Sequence, residues 1–220
     1  VTLLTTIITG QTEKTTLVDA DKFLISDSAA SGAFKYVQKS NLPSGTLVEV
    51  DQASIAAGSS VAAVNFSNIF SSTYNTYFVR MSKIRFAGNT PLNLRFFSDT
   101  GTSEISLSYY YFAFYGLDMS NNEERDFGNG DNKLVLTASL DYDQPADGGA
   151  TGFFYIDNPL ANNSLSVNVT GQFGYRNDSN VFNATSFAGK FSGSSARYGF
   201  KLYGTSNVEL ADITVYGVKP

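Results

Sequence analysis

Apolar and polar positions alternate with a period of two along much of the chain. In Leu165-Ser166-Val167-Asn168-Val169-Thr170 the apolar side chains take one face and the polar ones the other, as in a half-buried antiparallel strand. The run from Arg197 to Val218 reads as two such strands joined at Gly204-Thr205-Ser206-Asn207. Earlier strand-like segments are Leu47 to Val50, Val61 to Phe66, Thr76 to Phe86, Leu92 to Phe97, Ile105 to Tyr115, Lys133 to Leu140, Gly152 to Ile156, Leu165 to Phe173 and Phe187 to Phe191. Turn residues separate them, and only Asn68 to Phe70 suggests a helical turn. The succession predicts an all-β fold, an antiparallel, jelly-roll-like β-sandwich. Because the last strand carries the chain almost to Pro220, this end is expected to be pinned in a sheet, leaving the opposite end or the loops to be presented. That arrangement favours a structural or binding module.

Residues 1–45 have a different character. Lys22 to Ser26 and Phe34 to Gln38 read as two short strands around Asp27 to Gly32, a small β-hairpin with a loose tip. Asn41-Leu42-Pro43-Ser44-Gly45 reads as a linker. The expected organisation is an N-terminal hairpin segment, 1–45, followed by the sandwich, 46–220.

Composition narrows the function. Of the 220 residues, 42% are hydrophobic and only 16% charged, so the core is substantial and the surface is mostly neutral polar. The net charge of -5 comes with no basic cluster, which argues against a nucleic-acid partner. Val1 to Ile8 is too short and too rich in threonine for a membrane span, and lacks the flanks of a signal peptide, so no membrane insertion is expected. The chain has no cysteine and no histidine. Disulfides, thiol chemistry, Ser-His-Asp catalysis and the usual zinc sites are thereby removed. The expectation is a protein that is not an enzyme and needs neither cofactor nor metal.

The segment Tyr109-Tyr110-Tyr111-Phe112-Ala113-Phe114-Tyr115 is bulky on both faces and must be covered twice. Either it is a central strand covered by two layers of its own domain, or a neighbouring subunit covers one face. On the second reading Tyr109, Tyr110, Tyr111 and Phe112 form the subunit interface.

Four other patterns are candidates for chemistry. Asp99-Thr100-Gly101 matches the active-site triplet of aspartic proteases, yet between two strands it reads as a hairpin turn. The acidic stretches Asp126 to Asp131 and Asp141 to Gly148 lack the ligand spacing of a calcium loop. Glu123-Glu124 does not make an acid/base pair, since neighbours on a strand face opposite ways. The five glycosylation sequons, at Asn65, Asn162, Asn168, Asn177 and Asn183, are about what so much Asn, Ser and Thr produces by chance. Recognition is expected to rest on the two longest polar connections, Asp118 to Asn132 and Asp141 to Ala150. They offer Phe127, Asn129, Asp131, Tyr142 and Asp143 as contacts for a glycan, whose apolar faces suit aromatic rings and whose hydroxyls suit amides and carboxylates.

Two regions resemble virion proteins of tailed bacteriophages. Asp19 to Asp27 followed by Ser31 to Val37 is similar to an N-terminal segment of tail-fibre and appendage proteins. A second likeness runs from Val61 to Phe66 through Tyr74 to Val79 and Leu92 to Ser98, ending with Phe200 to Tyr203 and Ile213 to Val218. The resemblance implies a homotrimer on the virion surface, on tail or head, attached to other virion proteins through the N-terminal segment with the β-sandwich facing outward. It implies no catalytic residues. The function it suggests is a short tail fibre or appendage that contacts the host surface, possible partners being a host surface glycan and other copies of the chain. The alternatives are a capsid-decoration or head-protrusion protein and a polysaccharide-degrading spike. The spike would need a large solenoid and an acidic cluster that the sequence does not display.

Overall fold

The computed structural model describes residues 22–27, 33–38, 46–106, 108–119, 123–140, 149–160, 166–176 and 181–219. The chain divides into two compact units, Val1–Gly45 and Thr46–Pro220. In the first, β1 (Lys22–Asp27) pairs antiparallel with β2 (Ala33–Gln38), Lys22 opposite Gln38 and Asp27 opposite Ala33.

The second unit contains β3 (Leu47–Ile55), β4 (Val64–Phe66), β5 (Thr76–Phe86), β6 (Thr90–Phe97), β7 (Tyr110–Asp118) and β8 (Glu123–Asp131), then β9 (Leu134–Leu140), β10 (Ala150–Asp157), β11 (Val167–Arg176), β12 (Phe182–Phe191), β13 (Gly199–Tyr203) and β14 (Val208–Val218). They build two antiparallel sheets packed face to face, a β-sandwich. The large sheet runs β3-β14-β5-β10-β11-β12-β7-β8 and the small one β4-β13-β6-β9. The partition is unequal, eight strands against four, where a jelly roll sets eight strands in two Greek keys. Among the described residues no helix is long and apolar enough to cross a membrane.

Alternation explains the packing. On β14, Ala211, Ile213 and Val215 point inward, and on β10 Phe154 and Ile156 do so while Tyr155 points out. The small sheet answers with Phe66, Leu94, Phe96, Phe200 and Leu202, all buried. Rings meet across the layers: Phe154 on β10 lies 5.9 Å from Phe200 on β13, and Phe96 on β6 lies 5.8 Å from Phe191 on β12, both edge to face. Each such phenylalanine contributes about 1.5–3 kcal/mol through removal from water. At one end of the core Arg197 is buried over the Phe191 ring, and donates to the carbonyls of Pro159 (2.7 Å) and Gly193 (2.9 Å).

Several boundaries and roles differ from the sequence expectation. The last two strands do not pair with each other. β13 lies in the small sheet between β4 and β6, and β14 in the large sheet between β3 and β5, so Gly204 to Asn207 crosses between layers. Asn68 to Phe70 is not a helical turn. Asn68 takes a left-handed φ of 53°, and the N–H groups of Ile69 and Phe70 both bond the carbonyl of Tyr198. Val61 makes a single bridge to Val208 outside β4. Ile105 precedes β7, its N–H bonded to the carbonyl of Phe96.

The largest correction concerns Asp118 to Asn132, which is not an extended polar connection. Glu123–Asp131 is β8, paired with β7 from Leu117 opposite Glu123 to Tyr110 opposite Asp131. As the outermost strand it needs no apolar face, so its Glu, Asp, Asn and Gly content concealed it.

Candidate functional site

β8 ends one edge of the large sheet and β9 one edge of the small sheet, and between them the sandwich opens into a cleft of about 830 Å³. Its floor is Phe112 and Phe114 of β7 with Val135 of β9, and Asp126, Asp131 and Lys133 stand along its walls. Opposed residues of an antiparallel pair share a face. Asp126, opposite Phe114, and Asp131, opposite Tyr110, therefore stand on the cleft side, while Arg125, Phe127 and Asn129 take the outer side with Tyr115, Ala113 and Tyr111. Gly128 makes this possible. A Cβ there would lie 2.0 Å from Asp131 Oδ2 and 2.2 Å from Phe112 Cε1, so any side chain would displace the carboxylate and the ring together.

Phe127 is 79% exposed, and Asn129 and Asp131 are exposed on the same strand. Tyr142 and Asp143 lie outside the described residues. Tyr110 and Phe112, expected at a subunit interface, are instead buried inside the sandwich, because β7 turns alternate residues inward against β6 and β9. Tyr109 is exposed, and Tyr111 is half-buried beneath Lys190, whose Nζ lies 4.9 Å from the ring centre. The doubly bulky segment is thus a strand with one covered face and one open face.

Asp99 occupies a turn. Its Oδ1 accepts from the N–H groups of Gly101 (2.9 Å) and Ser103 (3.2 Å), and bonds from Ser103 and then Gly101 hold its carboxyl below the usual carboxylate range. Among the described residues no cluster of three or more His, Cys, Asp or Glu side chains is placed to hold a metal. Of the sequons, Asn65 and Asn168 are exposed, whereas Asn183 is buried and faces inward on β12.

On the small sheet's outer face Glu104 forms ion pairs with both Arg95 and Lys201. The two cations lie over the Tyr203 ring, at 5.2 and 4.2 Å from its centre. Burial works to raise the Glu104 carboxyl, but the bonds and charges of Lys201 and Arg95 outweigh it and hold the group below its usual range.

A second feature was not anticipated. Phe78 of β5, Phe153 and Tyr155 of β10 and Tyr216 of β14 form one ring cluster on the outer face of the large sheet, with Phe78 5.9 Å from Phe153, 5.1 Å from Tyr155 and 6.1 Å from Tyr216. The sequence signal was the unbroken Phe153-Phe154-Tyr155, too bulky for one covered face. The outer face of the large sheet therefore carries its own ring packing, apart from the core.

Comparison with protein-family models, with curated proteins and with solved structures finds no match to this chain.

Proposed function

We propose that the chain is a structural protein of a tailed-phage virion, a short tail fibre or related appendage that contacts the host surface. On this reading residues 1–45 join it to other virion proteins and the sandwich faces outward, as a homotrimer. The observation that supports it most is the asymmetry of the sandwich. One sheet has twice the strands of the other, and its outer face carries exposed aromatic residues, Tyr115 and Tyr155 among them, beside neutral polar ones. A face of that kind suits contact with another surface better than chemistry at a reacting centre. The resemblance of the N-terminal segment and of the strand pattern to tail-fibre and appendage proteins supplies the particle.

The test uses antibodies raised against residues 46–220. They are expected to label intact particles and to block adsorption to host cells. Particles that contain the chain but adsorb normally when saturated with antibody would overturn the host-contact role, and particles without the chain would overturn the whole reading.

A further inference from the structure

The outer face of the large sheet contains a trough along β11 and β12. In register, β11 presents Thr170, Gln172 and Gly174 outward, and β12 presents Ala188, Ser186 and Ala184 opposite them. At these positions the floor is made of small or neutral polar side chains, and Lys83 and Arg176 line the trough at the far end. One wall is Phe153 and Tyr155 of β10, opposite Gln172 and Thr170 and backed by Phe78 and Tyr216. The other is Tyr115 and Leu117 of β7, opposite Ser186 and Ala184. The walls stand three strand spacings apart, roughly 14 Å. Three depressions of about 240, 540 and 500 Å³ follow one another along it. The first two share Phe153, Gln172 and Ser186, and the second and third share Thr151 and Gly174.

We infer that this trough binds a linear glycan chain. Its walls are aromatic and its floor carries uncharged donors and acceptors, which matches a ligand with apolar ring faces and hydroxyl edges. Tyr155 is 38% exposed, and Thr170, Gln172 and Ser186 are exposed, so rings and polar groups are accessible together. A second protein copy seated here would bury those amides and hydroxyls, a cost of about 1–3 kcal/mol for each one left unpaired. Nucleic acid is disfavoured by the net charge of -5 and by the neutral polar groups at the trough's centre. The overlap of three depressions along the strands fits an oligomer of several sugars. The inference rests on the proposed function only for the source of the glycan, a host surface, since binding is a property of the isolated chain.

The test applies the full chain to an array of linear oligosaccharides of neutral hexoses and N-acetylhexosamines, from monosaccharides to long oligomers. Binding is expected to strengthen with oligomer length. Tyr155→Ala and Gln172→Ala are each expected to weaken it by about tenfold, the equivalent of one lost stacking or hydrogen-bonding contact. Ala184→Phe, which fills the trough and deletes no contact, is expected to abolish it, and Gln172→Ala and Ala184→Phe should melt as the parent does. Failure to bind any oligomer, or binding that survives all three substitutions, would overturn the inference. Array binding by a chain absent from particles would remove the proposed function alone, and a chain present on particles without array binding would remove this inference alone.

Discussion

The phenol of Tyr110 accepts a hydrogen bond from the backbone N–H of Phe96, at 3.1 Å, and so ties β7 of the large sheet to β6 of the small one. β9 pairs with β6 only between Thr90 and Leu94. Beyond that point the exposed edge of β6 is completed by Tyr110 and by Ile105, whose carbonyl accepts the phenol proton at 2.8 Å. The two rings also stack, with centroids 6.2 Å apart. Tyr110→Phe keeps the ring and removes the oxygen, leaving two buried backbone groups short of a partner. It is expected to cost about 1–3 kcal/mol, read as a lower midpoint in denaturant unfolding. Burial, the largest influence, pushes the Tyr110 phenol well above its usual range. The unfolded chain then loses this proton first, so the group's contribution to stability is intact below about pH 10 and declines as pH rises further. Tyr110→Phe should flatten that alkaline decline.

Glu104 sets the opposite limb. Its folded-state carboxyl is depressed by Lys201 and Arg95 against the effect of burial. The associated stability is present above about pH 4.3, the ordinary glutamate value, and is lost as pH falls through the lower folded value. Glu104→Gln is expected to lower stability at neutral pH by about 0.2–1 kcal/mol and to reduce the loss on acidification. Thermal melts at neutral and acid pH would check both parts, and an unaltered acid limb would contradict the assignment.

These two sites show how far the sequence is legible. Period-two alternation identified most strands, because each buries one face and wets the other. It could not distribute β13 and β14 between sheets, since a strand with one apolar face looks the same in either layer. β8 escaped for another reason: the outermost strand, with Glu123, Arg125, Asp126 and Asn129, has the composition of a loop. The aromatic trough was illegible because Phe78, Tyr155 and Tyr216 meet only through the non-local register of β5, β10 and β14.

Association is predicted to use the β8 edge, the outer side of the last strand of the large sheet, which carries Phe127 at 79% exposure. Sedimentation equilibrium of the purified chain is expected to give a trimer. Phe127→Asp should shift the population toward monomer while leaving the fold intact by circular dichroism. A parent chain that is monomeric at micromolar concentration would contradict the prediction.

Thr46–Pro220 is expected to fold by itself, since it is a compact unit with its own core. A chain starting at Thr46 should melt in one cooperative transition, checked by calorimetry, yet fail to enter particles. Incorporation at the parent level would remove the attachment role from residues 1–45.

The central claim, a virion appendage that meets the host through its large sheet, is tested most directly by a reconstruction of the intact particle. The account predicts density for the sandwich on the tail, with Tyr155 and Gln172 on a surface directed away from the particle. Density on the capsomers, or a large-sheet outer face buried against another virion protein, would contradict it.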